Sequence, residues 1–337
     1  MVALPTSVAL AWPAALVLAV AAVPPAGSGA PAPGAPGGSP PSVARAQEGI
    51  ASSAIRWMRT TDGTWALAVA VEPAAGWHTY WENPGDSGSS PEITLKLPEG
   101  WTAGEVVYPR PDVAYGDDGA FYGYGSTVRY LVPVRRTGPA AGPAASPAPA
   151  GAPASPTAGD EPAGPGPWSA KAAVMLCKSR CVMANLEASG DAPTASGDAL
   201  PAGLHGGSAG GRSLPESAPA HGVSASIEGG RAVIAGPTRG HAAVRFIPAA
   251  LPGLQVTLPE GAASVEGSVT DGRFRIEVPI ETLGSEPGKP AFAGLVLYGN
   301  RPSDPCVRLA LPHPTDGAAS GAPVRSKPMG PGPDPGR

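Results

Sequence analysis

The stretch Ala173–Leu186, A-V-M-L-C-K-S-R-C-V-M-A-N-L, decides how the rest of the chain is read. Two alternating apolar runs flank Lys178-Ser179-Arg180, the pattern of a β-hairpin closed by a three-residue loop. On that reading Cys177 and Cys181 face each other at the strand ends, where opposed Cα atoms lie about 4.5–5.5 Å apart, within disulfide range. The ring so closed is tiny, so the bond constrains little of the unfolded chain and adds little stability. A weakly stabilising bond suits exchange better than stapling. Lys178 and Arg180 are expected to modulate it, because positive charge beside sulfur favours the thiolate. The alternative is two unrelated buried thiols. Alternation also puts Met175 on the face of Cys177 and Met183 on that of Cys181. Met175, Cys177, Cys181 and Met183 thus form an alternative soft ligand set for Cu(I); otherwise both methionines pack beside the disulfide.

Outward from the hairpin, the chain is a series of short alternating runs. Ile55–Met58 and Thr64–Val71 are joined by the turn signal Thr61-Asp62-Gly63. Trp77–Trp81, Ile93–Leu97, Val106–Tyr108 and Thr127–Val134 follow, with Gly/Pro turns between them. Trp168–Leu176 and Val182–Leu186 complete the set. Strands this short and this regularly punctuated predict an antiparallel β-sandwich. A second, smaller β-sandwich is expected over 223–315, with strands at Ala232–Ile234, Ala243–Ile247, Gln255–Leu258, Phe274–Pro279 and Gly294–Tyr298. It has no close cysteine pair and reads as a docking or spacing unit. Its lone Cys306 reads as a small buried apolar residue.

Gly (47) and Pro (45) make up roughly a quarter of the 337 residues, the range of low-complexity sequence. They concentrate between the β segments, which predicts disordered Ala/Pro/Gly stretches at 137–167 (an insertion), 191–222 (a linker) and 316–337 (a tail). Residues 1–46 read as an export signal: Val8–Val23 is apolar, and V-A-R-A at Val43–Ala46 offers a cleavage site before Gln47. Prolines 13, 24 and 25 interrupt any clean span of about 20 apolar residues, so the exported chain is expected to be periplasmic, without a membrane span. The redox unit is then 47–190. A net charge of −4 gives no footprint for nucleic acid.

Asn83–Glu92, N-P-G-D-S-G-S-S-P-E, contains the GDSG that surrounds a protease nucleophile. His78, Asp86 and Ser87 lie too close together in sequence to converge as a triad, and no upstream domain supplies a separate His and Asp. The loop is expected to be a turn in which Asp86 or Ser87 bonds nearby backbone. Asp117 and Asp118 read as a solvated turn.

Taken in order, G-W-H-T-Y-W-E-N-P-G-D-S-G-S-S-P-E-I (Gly76–Ile93), Y-P-R-P (Tyr108–Pro111), F-Y-G-Y (Phe121–Tyr124), V-P-V (Val132–Val134) and C-x-x-x-C resemble the N-terminal periplasmic domain of DsbD-type thiol:disulfide interchange proteins, especially the ScsB-like branch. The resemblance covers about 55–186. It implies an immunoglobulin-like fold and a redox pair at Cys177 and Cys181. That pair would pass reducing equivalents between a membrane-embedded electron donor of the DsbD or CcdA type and periplasmic thioredoxin-fold proteins, with no resident cofactor. In that family an aromatic-bearing loop shields the pair; Tyr80, Trp81, Phe121, Tyr122 and Tyr124 are the candidates here. The chain departs from the pattern in three ways. The multi-span and thioredoxin-like domains of full-length members have no counterpart in these 337 residues, so a separate membrane partner is expected. Met183 stands where members commonly carry proline. The insertion over 137–167 precedes the cysteine strand. A copper-binding or copper-tolerance protein using the Met/Cys face, and a non-catalytic β-sandwich interaction module, are the alternative functions.

Overall fold

In a computed structural model, residues 47–137, 164–191, 193, 195, 199–251, 254–282 and 292–311 are described. The expected export signal, nearly all of the insertion and the tail lie outside them. Ten strands run through the first part: β1 (Ile50–Arg59), β2 (Trp65–Pro73), β3 (Thr79–Gly85), β4 (Glu92–Lys96), β5 (Trp101–Ala103), β6 (Asp112–Gly116), β7 (Gly119–Tyr124), β8 (Val128–Arg136), β9 (Trp168–Cys177) and β10 (Cys181–Gly190). They form an antiparallel, immunoglobulin-like sandwich. One layer is the sheet β1-β2-β8-β5; the other holds β10-β9-β4, with β3-β7-β6 beside it. Leu67, Val69 and Val71 of β2 and Tyr130 and Val132 of β8 meet Val174 and Leu176 of β9 and Ala184 and Leu186 of β10 in one core. Each such side chain, once buried, is worth roughly 1.5–3 kcal/mol of transfer free energy.

Three strands were not legible as such. Val106–Tyr108 makes only one bridge, Val107 to Leu131, whereas Trp101–Ala103, Asp112–Gly116 and the glycine-containing Gly119–Tyr124 are strands. The Asp117-Asp118 turn joins β6 to β7. Trp77–Trp81 continues through Asn83-Pro84 to Gly85, with a register shift between Tyr80 and Gly85 where β3 meets β7.

The described part of 191–222 is not a free linker, contrary to expectation. Leu200, Leu204, Ala209 and Leu214 cover the outward face of the first sheet, packing on Met58, Ala66, Ala68 and Leu131. Arg212, 3% exposed, donates to both Asp112 carboxylate oxygens at 2.9 and 2.7 Å. A handful of leucines and one bidentate arginine suffice to order a segment whose average composition resembles a linker. It contains two 3₁₀ turns and the two-residue strands β11 (Ser208–Ala209), β12 (Arg212–Ser213) and β13 (Glu216–Ser217).

The remaining strands are β14 (Ser224–Glu228), β15 (Arg231–Pro237), β16 (Val244–Pro248), β17 (Leu254–Val256), β18 (Val265–Glu266), β19 (Ser268–Thr270), β20 (Arg273–Thr282), β21 (Phe292–Tyr298) and β22 (Cys306–Leu311). They build the sheets β13-β22-β21-β16-β18 and β14-β15-β20-β17, which enclose their own core around Phe246, Phe274, Ile276 and Val296. Every residue of β21 is buried. Val296 and Tyr298 face this second core, while Leu295 and Leu297 join Cys306 and Ile247 against the first. A strand covered on both faces reads as a continuous apolar run rather than an alternating one, as F-A-G-L-V-L-Y does. The second set of strands therefore sits on the first through a shared apolar layer, which a mere spacer would not require.

Candidate functional site

The register of β9 and β10 pairs Cys177 with Cys181 and Met175 with Met183. Cys177 and Cys181 are joined in a disulfide, Cα to Cα 4.1 Å. The backbone explains this closeness. The N–H of Cys177 donates to the His78 carbonyl, and the His78 N–H donates to the Cys177 carbonyl, both at 3.0 Å. Cys177 therefore spends its backbone groups away from β10, and the cysteines occupy a non-hydrogen-bonded pair, the closer kind in an antiparallel ladder. At the other edge the N–H and carbonyl of Asn185 are both taken by the Gln47 side-chain amide, at 2.9 and 2.6 Å. Residues of the same parity on β10, Cys181 and Met183 among them, hence point their backbone groups outward from the sheet.

The two sulfurs are unequally placed. Cys177 is 4% exposed, whereas Cys181 is exposed beside the likewise exposed loop Lys178-Ser179-Arg180. The cations flanking the pair also differ. Arg180 is ion-paired with Glu48 at the surface, a contact worth at most about 1 kcal/mol that offsets its charge. Lys178 reaches only the Ala75 carbonyl, at 3.5 Å. Met175 and Met183 do share the cysteine face, with Met183 49% exposed, but both sulfurs between which a metal would sit are bonded to each other. Among the described residues no cluster of three or more His, Cys, Asp or Glu side chains is arranged to hold a metal ion.

His78 is the residue that sequence reasoning did not attach to the site. Because it forms a hydrogen-bonded pair with Cys177, the two side chains project from the same side of the sheet. The row across the sheet is thus His78, Cys177, Cys181. The His78 ring lies edge-on to Tyr80 (centroids 5.3 Å apart) and Phe121 (4.7 Å), which meet each other at 5.7 Å. Such edge-to-face contacts add about 0.5–1.5 kcal/mol each beyond area burial. Burial lowers the His78 pKa from its usual value, so the ring is neutral at neutral pH. Its Nε2 shares a 3.2 Å hydrogen bond with the Tyr80 hydroxyl.

Alternation divides the five aromatic residues expected to shield the pair. Tyr80 and Phe121 belong to the His78 cluster. Trp81, Tyr122 and Tyr124 point the other way, into the core of the sandwich; Trp81 and Tyr122 pack together at 6.2 Å, and the Tyr124 hydroxyl donates to the Pro109 carbonyl at 2.8 Å. The last three are structural. Gly123 makes the split possible, because a Cβ there would overlap both the Thr79 carbonyl and the Phe121 ring.

The GDSG loop serves this cluster. Gly88 has φ +93°, in the left-handed region, and a Cβ at that position would overlap the Tyr80 ring; glycine lets the loop close over the tyrosine. Asp86 accepts a 2.7 Å bond from the Ala120 N–H, tying the loop to β7. Its partner is 34 residues away, so the carboxylate fastens two strands rather than capping its own turn.

Residues 50–184 match the family model described as thiol:disulfide interchange protein DsbD, N-terminal. No curated protein matches the chain significantly. Among solved structures, the N-terminal periplasmic domain of ScsB from Proteus mirabilis is similar at 10% identity and TM-score 0.47, covering 80% of this chain and 97% of that one. The CupB6 tip adhesin from Pseudomonas aeruginosa is similar at 10% identity and TM-score 0.16, covering 76% of this chain and 95% of that one. Neither structural likeness is close enough to add to the family match.

Proposed function

On the match of residues 50–184 to the DsbD N-terminal family model, we propose that the chain is a thiol–disulfide exchange module whose working pair is Cys177 and Cys181. The observation that carries this reading is the asymmetry of the pair: a five-residue ring at a hairpin tip, with one cysteine exposed and the other buried. Cys181 is the sulfur a partner reaches. In the reduced state its thiolate attacks a partner disulfide, giving a mixed disulfide that Cys177 resolves. Tyr80 and Phe121 pack on His78, the backbone partner of the buried cysteine, and Lys178 favours the thiolate. The proposal includes a periplasmic location, a membrane-embedded electron donor and thioredoxin-fold acceptors, and a division into an exchange module over 47–190 and a second sandwich over 223–315.

Two measurements test it. Equilibration with glutathione gives the reduction potential of the pair; a value well below about −300 mV identifies a structural bond and ends the exchange reading. A Cys177→Ser variant, lacking the resolving thiol, is expected to accumulate a mixed disulfide through Cys181. A Cys181→Ser variant is expected to trap far less, because its remaining thiol is buried; equal trapping by both contradicts the assigned order of attack.

A further inference from the structure

We infer that His78 accepts the proton of Cys177 in the resolving step. This rests on the exchange reading above and adds to it the group that makes the buried thiol reactive. Cys177 is enclosed, and burial in apolar surroundings disfavours a thiolate. A resolving cysteine in that position needs a base supplied by the protein. The sheet puts one there: His78 and Cys177 are mutual backbone partners at 3.0 Å in both directions. Directly opposed residues have Cβ atoms about 4.5–5.5 Å apart on one face, which brings the imidazole within reach of the thiol, directly or through one water.

The surroundings leave one ring nitrogen open. The Tyr80 hydroxyl stays protonated, held so by burial and the nearby Asp118 carboxylate against an opposing hydrogen bond from Ser87. In the tautomer that donates the Nε2 hydrogen to the Tyr80 oxygen, Nδ1 carries the lone pair that takes the thiol proton, and no described residue hydrogen-bonds it. Phe121, packed on the ring from β7, brings no charge. On the β9 side Lys178 is directed at the Ala75 carbonyl.

The step balances as follows. The Cys181 thiolate attacks a disulfide RS–SR′; the S–S bond breaks and R′S⁻ leaves, taking a proton from solvent. The Cys177 proton passes to His78, and the resulting thiolate attacks the Cys181 sulfur. The intramolecular disulfide forms as RS⁻ leaves, protonated by the imidazolium. The cysteine pair loses two electrons and the partner disulfide gains them.

The test uses the reduced full chain, oxidised glutathione as the disulfide, acid quenching and intact-mass detection of the glutathionylated intermediate. His78→Gln keeps a hydrogen bond to Tyr80, and His78→Phe keeps the ring contacts; neither accepts a proton. In both, the intermediate is expected to persist about 10²-fold longer than in the unaltered protein at pH 7, while the rate of its formation is unchanged. In the unaltered protein closure slows as pH falls through the His78 pKa; in the variants that inflection disappears. Either variant alone decides the matter if the other does not fold. Equal lifetimes overturn the role of His78. Failure of the unaltered protein to form the intermediate at all overturns the exchange reading itself.

Discussion

Arg110, from the Y-P-R-P run, holds the two sets of strands together, and its removal has a calculable effect. The side chain is 1% exposed. It donates to the carbonyls of Tyr298 at 2.8 Å, Gly299 at 2.7 Å and Pro305 at 2.9 Å, all at the β21–β22 turn. Among the described residues no carboxylate hydrogen-bonds it; a ring of carbonyl oxygens solvates the buried cation. Arg110→Met keeps the apolar stem and leaves the inward-facing Tyr298 and Gly299 carbonyls unpaired, at about 1–3 kcal/mol each, while the Pro305 carbonyl still accepts from the Tyr298 N–H. Against this stands the desolvation cost of the guanidinium, several kcal/mol, which the variant no longer bears. The expected net loss is about 1–3 kcal/mol, or a midpoint lower by roughly 2–12 °C at the 2–4 °C per kcal/mol typical of this size. The assay separates the two regions cleanly, because every tryptophan lies at or before Trp168 and the second sandwich contains none. Urea transitions by tryptophan fluorescence report the first sandwich and far-ultraviolet circular dichroism reports both. In the unaltered protein the two are expected to coincide; in Arg110→Met the dichroism transition broadens and its early phase precedes the fluorescence change. A loss under about 1 kcal/mol with coincident transitions refutes the clamp.

Gly88→Ala puts a methyl into the Tyr80 ring at a left-handed backbone position; a loss of about 1–3 kcal/mol and a changed near-ultraviolet dichroism of the aromatic cluster are expected in thermal melts. Met183→Pro is expected to cost little, because the Met183 N–H points away from β9 and proline is accepted on such an edge, whereas Ala184→Pro removes a ladder bond and costs about 3 kcal/mol or more; urea midpoints of the two variants check this. Burial pushes the Cys306 thiol up to about 12, so an alkylating reagent at pH 8 is expected to modify the exposed Cys181 of the reduced folded protein first and to reach Cys306 only after unfolding. Burial likewise raises Tyr108 and Tyr298 to about 12. A group kept protonated in the fold contributes stability that is complete below its ordinary pKa and is lost as pH rises through the folded value. The midpoint of thermal unfolding should therefore fall between about pH 9 and 12.

The hairpin was legible because its information is local: alternation on either side of a three-residue loop specifies which residues face each other, and Cys177, Cys181, Met175 and Met183 fall where that pattern puts them. The placing of the aromatic residues was legible only in part. F-Y-G-Y carries two of its aromatic residues inward and one outward, and that division follows from period 2 once the segment is known to be a strand. Its glycines hid that. The segment Ala199–Gly222 looked like linker because glycine, alanine and serine dominate its average; the few residues that order it, Leu200, Leu204, Arg212 and Leu214, act through partners more than 60 residues away.

The sequence by itself determined the all-β class, the opposed cysteines and a set of motifs that resembles a thiol:disulfide interchange domain, since the first two depend on neighbours within one or two strands. Only the tertiary structure decided which sulfur faces solvent, that His78 stands beside the other one, and that Arg110 is among the residues fastening the second sandwich to the first. Those relations join segments about 100 to 200 residues apart. Strand periodicity states which face of a strand is buried but carries no information about which strand lies next to it.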